Sequence, residues 1–421
     1  MAFNRREFVK LTGAAAGLAT LGLPLVASAK GSASIVVIGG GYGGATAAKY
    51  CRQYMPDAKI TLIEKDKYYY SCPFSNEVLG GDKTIEEIRF GYDGIAARGI
   101  DVVIDEVTGV DPAAKSVSTK GGQKVSYDYL VVSPGVSFKG NIEGYEGEQM
   151  NKMPHAWKAG EQTTLLRNQL EAMADGGVVM IVAPPNPFRC PPGPYERAAQ
   201  IAHYLKHHKP ASKVIIMDAK DKFSKQGLFM EGYNKHYEGM IEWRSAANDG
   251  KVNAVKGNKL ITEFEEHEPA VANIIPAQQA GALAGAIGLT NESGWCPVDQ
   301  RTFESSIIKD VYVIGDACIA GAMPKSGYAA NSQGKVAAAA IAAKVGGYEM
   351  PDPSYVNTCY SLITPEHGIS VAGVYRLEDG KIAGVKGAGG LSPAGASDAT
   401  RQVEAMYARS WYANITADLF G

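Results

Sequence analysis

Ser34-Ile35-Val36-Val37-Ile38-Gly39-Gly40-Gly41-Tyr42-Gly43-Gly44 runs from five residues of buried-strand character into a cluster of glycines, and an alanine-rich helical pattern follows from Ala45 to Tyr54. Strand, Gly39-x-Gly41-x-x-Gly44 and helix in that order suit a dinucleotide pyrophosphate. The glycines let the backbone turn sharply and approach the phosphates, which then sit on the positive end of the helix. About 20 residues further on, Lys59-Ile60-Thr61-Leu62-Ile63 reads as a second strand ending in Glu64, an acceptor for a ribose hydroxyl. The pattern predicts a βαβ unit in which Gly39, Gly41, Gly44 and Glu64 hold a dinucleotide.

At 421 residues, with 45% hydrophobic and 20% charged residues, the chain is long enough for two or three packed domains. Its formal charge of −2 and lack of long charge runs disfavour nucleic-acid binding. Upstream, Asn4-Arg5-Arg6-Glu7-Phe8-Val9-Lys10 precedes an apolar run from Leu11 to Val26 and then Ala27-Ser28-Ala29. A charged head, an apolar middle and a small-residue cleavage site form an export signal, and the arginine pair points to the twin-arginine type. The apolar run is shorter than the ~20 residues of a spanning helix. The expectation is therefore a leader over 1–29, a periplasmic mature chain and no integral membrane span. None of the six cysteines is spaced as C-x-x-C. This argues against a local zinc knuckle and a c-type haem in this chain.

At the other end, Val311-Tyr312-Val313-Ile314-Gly315-Asp316 reads as a strand, and Ala329-Ala330-Asn331-Ser332-Gln333-Gly334-Lys335 opens another alanine-rich helix. This resembles the second FAD fingerprint of flavoproteins with two dinucleotide-binding domains, where the aspartate meets the ribityl chain and the helix aims at the flavin pyrimidine. A helix cap is the plainer role for Asp316. Val131-Val132-Ser133-Pro134-Gly135 resembles the intermediate motif of the same proteins. The implied cofactor is FAD, with Ser133, Gly135, Gly315 and Asp316 added to its site.

Where relatives that use NADH carry a second glycine-rich loop, the strand Val178–Ala183 leads into residues 184–194, six of which are proline. Prolines lack the N–H groups that would cradle a pyrophosphate. The helix from Tyr195 to His208 and the strand Val214–Asp218 keep the βαβ scaffold, so the nicotinamide site reads as lost while its framework persists. The stiff loop presents Cys190. With Arg189 before it and a helix start after it, Cys190 reads as a thiol biased toward thiolate. A packed apolar cysteine is the alternative. The expected architecture is α/β: an FAD-binding domain over 34–150 and 280–345, a second Rossmann-like domain over 151–279, and a smaller α+β C-terminal domain over 346–421.

Several idiosyncratic runs then carry a family likeness: Tyr69-Tyr70-Ser71-Cys72, Ser75-Asn76-Glu77-Val78, Phe188-Arg189-Cys190-Pro191-Pro192-Gly193-Pro194-Tyr195-Glu196-Arg197, Gly294-Trp295-Cys296-Pro297-Val298-Asp299, Met323-Pro324-Lys325-Ser326-Gly327-Tyr328 and Asn357-Thr358-Cys359-Tyr360-Ser361. The chain resembles the flavoprotein subunit of flavocytochrome c sulfide dehydrogenase. The resemblance implies a covalent flavin link at Cys72, a redox-active Cys190–Cys359 pair beside the ring, oxidation of sulfide to zero-valent sulfur or polysulfide, and a separate c-type cytochrome as electron acceptor. Glu196 is then a candidate proton acceptor, or a helix N-terminal charge. Lys325 is a candidate to stabilise negative charge at the pyrimidine, or a solvent-facing lysine. Cys51, Cys296 and Cys318 read as packed thiols. Rival readings are a sulfide:quinone oxidoreductase, which requires a basic amphipathic C-terminal helix on the membrane, a non-catalytic FAD-holding subunit, and a pyridine-nucleotide disulfide reductase.

Overall fold

The computed structural model describes residues 32–421, so the export signal expected over 1–29 lies outside the described residues. The principal strands in chain order are β1 Ser34–Ile38, β2 Lys59–Glu64, β3 Asp101–Ile104, β4 Tyr129–Val132, β5 Val178–Ala183, β6 Lys213–Asp218, β7 Ile241–Arg244, β8 Val271–Ile274, β9 Val311–Val313, β10 Tyr355–Thr364, β11 His367–Glu378 and β12 Lys381–Leu391. The helices that matter below are α1 Tyr42–Tyr54, α2 Ser75–Gly80, α3 Gly193–His208, α4 Gln226–His236, α5 Gly327–Gly346 and α6 Asp398–Phe420.

The first sheet has the order β9-β4-β1-β2-β3, and every pairing in it is parallel. Its strands are short apolar runs because parallel strands are covered on both faces and have no solvent side to mark with polar residues. β9 returns to this sheet after the second one has been built, so the FAD-type motif at 311–316 comes to lie beside the glycine motif at 39–44. Between β1 and β4 the strand order reverses direction, which is where such sheets open a crevice for a ligand. The second sheet, β7-β6-β5-β8, is also parallel and uses only residues between 178 and 274. β10, β11 and β12 form an antiparallel meander, and α6 packs against β11.

α1 and α5 lie close together because small residues face each other. A Cβ on Gly334 would stand 2.7 Å from the Gly43 carbonyl, and Asn331 donates to Thr46 Oγ1 at 2.8 Å across the same seam. The C-terminus of α6 locks onto both helices. Asp418 accepts from Asn331 at 3.0 Å and pairs with Lys335 at 3.0 Å, while Lys49 donates to the Asp418 carbonyl. Beyond it Phe420 is buried, its ring 4.9 Å from Phe90 and 5.5 Å from Tyr69. The last turn of the chain thus belongs to the core of the first domain. Phe420→Ala removes that plug, and urea unfolding should give a loss of about 3 kcal/mol; an unchanged midpoint would contradict this packing role.

Candidate functional site

The glycine motif forms a cradle in which side chains have no room. Gly39 has φ +95, and a Cβ there would lie 2.3 Å from the Ser133 carbonyl oxygen. At Gly44 the same atom would lie 1.8 Å from the Gly39 carbonyl. Gly41 caps α1 without a side-chain hydrogen bond, so the N–H groups of the first turn point out of the helix end with no partner of their own. Glu64 reaches back from the end of β2 and accepts from Gly40 N–H at 2.7 Å. That bond grips the loop and leaves carboxylate lone pairs for further donors. Ser133 N–H donates to the Ile38 carbonyl, and Gly135, with φ +64, turns the chain so that its carbonyl accepts from Gly281.

Across the crevice, Gly315 N–H donates to Gln333 at 2.7 Å, and α5 begins at the Ser326 cap. Asp316 is not a helix-capping group. Its Oδ1 is buried without a protein partner, Arg189 stands 3.9 Å from Oδ2, and burial holds its carboxyl above the usual range. A buried carboxylate oxygen with no donor asks for a ligand hydroxyl. With the cradle for a pyrophosphate on one side and this acceptor on the other, the residues fit FAD.

Lys325 lines a cavity of about 500 Å³ together with Phe188, Trp295, Gly315 and Gln333. Its ammonium donates to the Asp316 and Cys318 carbonyls at 2.8 and 2.9 Å and lies 3.8 Å from the centre of the Trp295 ring. It is therefore not a solvent-facing lysine. Its own carbonyl accepts from Cys190 N–H at 2.8 Å, which fastens the proline loop to this wall.

A second cavity, about 90 Å³, is lined by Cys72, Cys190, Cys359 and Glu196. All six cysteines of the chain are unbonded thiols, and Cys51, Cys296 and Cys318 are buried in packing. Each cavity residue arrives by a separate route. Cys190 sits in the left-handed region at φ 56, at the bend that carries the proline loop into α3. Cys359 lies on β10, where Asn357, Cys359 and Ser361 share a face by the two-residue period of a strand. Cys72 lies between the Tyr69–Tyr70 strand and α2, with its Sγ 3.6 Å from the Trp157 carbonyl.

Glu196 joins these pieces. From the first turn of α3 its two oxygens accept from Leu362 N–H of β10 at 2.8 Å and from Asn76 of α2 at 2.9 Å. Burial nevertheless raises its pKa. Asn76 in turn accepts from Arg197, which is 1% exposed and also donates to His155 O, Ala156 O and Asn273.

The thiolate bias expected at Cys190 from Arg189 is present but outweighed by burial. Burial raises the Cys190 pKa well above that of a free thiol, and Cys359 and Glu196 raise it further. The Arg189 guanidinium also points at Asp316 and the Trp157 carbonyl. Two groups at this site carry no sequence signal for their role. Lys225, in the turn before α4, brings a buried ammonium to the Cys359 strand. Glu77 of α2 lines the cavity, and burial pushes its carboxyl up to about 7. Cys359 carries no signal in the sequence pattern itself, and only the family likeness points to it.

Residues 163–276 match the family model described as the central region of the sulfide dehydrogenase [flavocytochrome c] flavoprotein chain, and residues 351–420 match the flavin-binding model of flavocytochrome c sulphide dehydrogenase. Residues 33–173 match the pyridine nucleotide-disulphide oxidoreductase model. The sulfide dehydrogenase flavoprotein chain of Chlorobaculum thiosulfatiphilum is 48% identical over 48 residues, which are 11% of this chain and all of that sequence. The sulfide-quinone reductase of Aquifex aeolicus is 29% identical over 297 residues, 67% of each chain. A solved structure of the sulfide:quinone oxidoreductase from Aquifex aeolicus covers 92% of both chains with a TM-score of 0.72 at 20% identity, a likeness of fold. The family models fall on the second sheet and on the meander with α6, which lie outside the general FAD-binding framework. Those matches carry the assignment: the chain is an FAD-binding oxidoreductase that belongs to the flavoprotein family of flavocytochrome c sulfide dehydrogenases.

Proposed function

We propose that this flavoprotein oxidises sulfide to zero-valent sulfur or polysulfide at Cys190 and Cys359, with FAD attached through Cys72, and passes the electrons to a separate c-type cytochrome in the periplasm. The observation that carries the reading is the meeting of Cys72, Cys190 with Glu196, and Cys359, from three distant segments, around one cavity. Hydrosulfide attacks one sulfur of a Cys190–Cys359 disulfide. The new S–S bond makes a persulfide, the old one breaks, and the other cysteine leaves as thiolate, as in thiol–disulfide exchange. FAD, when bound, supplies the two-electron acceptor that the cysteine pair needs and the one-electron donor that a haem protein needs.

Glu196 is placed to take the proton as the persulfide forms, since it lines the same cavity as both thiols and burial raises its proton affinity. The start of α3 is ill suited to NADH, because prolines occupy positions 192 and 194 and the Glu196 carboxylate would meet a pyrophosphate. The acceptor is read as a cytochrome because the chain belongs to the flavocytochrome c sulfide dehydrogenase flavoprotein family. α6 buries Ala405, Ala408, Tyr412 and Leu419 in the protein itself, while its Val403, Met406 and Tyr407 are exposed. Among the described residues no helix is long and apolar enough to cross a membrane. Tyr328, Tyr360 and Trp411 border the cavity on the same side, an aromatic face of the kind partner proteins use. A quinone acceptor is the second reading, supported by the relatives named as sulfide-quinone reductases.

Anaerobic titration with sulfide should bleach the flavin of the wild-type chain, and Cys190→Ser or Cys359→Ser should abolish the response. Glu196→Gln should slow it about a hundredfold. A wild-type flavin that ignores sulfide in the presence of its cytochrome would overturn the reading, and faster reoxidation by a soluble quinone than by a c-type cytochrome would favour the second.

Glu77 adds a pH dependence. Its carboxyl keeps a proton up to about 7, against 4.5 for an ordinary glutamate. Between those values the folded chain binds more protons than the unfolded one, so stability falls as pH rises through that window. Glu77→Gln lifts this penalty. The variant should gain up to ~3 kcal/mol over wild type between pH 5 and pH 8 in urea titrations; a constant difference would contradict the buried acid.

A further inference from the structure

Lys225 sits at φ 60 in the turn before α4, and its side chain runs inward, leaving the residue 5% exposed. The ammonium donates to Ser361 Oγ at 2.8 Å, lies 3.4 Å from the Cys359 carbonyl and stands 5.6 Å from the centre of the Phe229 ring. The charged and titratable groups around it are Cys359 on β10, Glu196 on α3, Cys190 on the proline loop and Glu404 on α6. Arg189 and Arg197 lie behind the cysteine pair and Glu77 behind Glu196. Among the described residues no carboxylate comes within 4.0 Å of the Lys225 ammonium. Its partners are one hydroxyl and one carbonyl, both neutral.

A buried ammonium is costly unless an opposite charge sits near it. The two groups of the neighbourhood that can become anionic without leaving it are the thiols. The reaction read above brings one negative charge into this pocket and keeps it there: hydrosulfide enters, its sulfur bonds to one cysteine, the Cys190–Cys359 bond breaks, and the electron pair stays on the other cysteine as thiolate. A second negative charge shares the same space, on the Glu196 carboxylate before it takes the proton and on the persulfide afterwards. Arg189 balances them only in part, because its guanidinium is also held by Asp316 and the Trp157 carbonyl.

We propose that Lys225 is the counter-cation of the cysteine pair, holding the thiolate that sulfide attack releases. The proposal rests on the sulfide-oxidation reading for its purpose but not for its test. Consistent with it, Lys225 precedes Arg189 among the cations that lower the Cys190 thiol pKa. Lys225 acts through the thiols and is a positioning residue in that sense.

The test uses the FAD-loaded full chain, reduced with a phosphine under argon and treated with iodoacetamide between pH 7 and pH 10, with alkylation of Cys190 read by peptide mass spectrometry. In Lys225→Met the rate at pH 8 should fall about tenfold and the profile should move up by about one pH unit. Lys225→Arg should restore it to within about twofold of wild type. A Met profile that overlays wild type would overturn the proposal. So would a slow Met variant that Arg fails to rescue, since that would make Lys225 a packing residue. If the Met variant loses its flavin, Lys225→Gln keeps a hydrogen-bond donor at the site, and the same shift is expected of it. Alkylation needs neither sulfide nor an electron acceptor, so a negative sulfide titration leaves this result standing.

Discussion

The buried carboxylate of Glu196 is the point on which the site depends. One oxygen takes the Leu362 amide of the C-terminal meander, and the other takes the Asn76 amide of α2. Asn76 is in turn held by Arg197, whose guanidinium is shared with Asn273 on β8 and with the carbonyls around Trp157. Remove the carboxylate and two buried donors are left unpaired, each costing roughly 1–3 kcal/mol. More consequentially, the three chain segments that bring Cys72, Cys190 and Cys359 to one cavity lose the group that all of them touch directly or at one remove. The same residue sits at the start of α3, where the helix dipole favours a negative charge, which partly offsets the cost of burying it.

Burial and charge placement hold Cys190 in a setting that opposes the thiolate. Burial first, then Cys359 and Glu196, raise the Cys190 pKa, so Cys190 is favoured as a neutral thiol. The compensating cations are divided. Arg189 serves Asp316, the acceptor on the FAD side, and Lys225 serves the cysteine side. Lys325 is held by the Asp316 and Cys318 carbonyls and carries the carbonyl that anchors Cys190. The protein thus distributes positive charge along both walls of the crevice, with Arg189 acting on Asp316 as well as on Cys190.

Much of the framework was legible in the chain. The two apolar strand runs, the glycine spacing at 39–44 and the Gly315-Asp316 turn have local signatures, because a parallel strand must be apolar on both faces and a close backbone approach must be glycine. The proline loop announced its own stiffness for the same local reason. What was not legible depends on tertiary contacts. Arg189 precedes Cys190 in sequence and favours its thiolate, yet burial, which only the tertiary fold supplies, outweighs it. Lys225 lies in a Lys-rich turn that reads as surface, and only the packing of α4 against β10 buries it. Glu77 stood inside a recognisable run with nothing to distinguish it from a solvated helix charge. Phe420 and Asp418 lie at a chain end, where sequence pattern carries little weight, but they close the seam between α1 and α5.

The central claim is that sulfide sulfur is captured covalently by the Cys190–Cys359 pair. The direct measurement is to add less than one equivalent of sulfide to the oxidised, FAD-loaded chain without oxygen, trap with an alkylating agent, and map sulfur adducts by peptide mass spectrometry. The account predicts one extra sulfur on Cys190 or Cys359 and a plain alkylated thiol on the other, with Cys51, Cys296 and Cys318 unchanged. Flavin reduction with no added sulfur on either residue of the pair would contradict it.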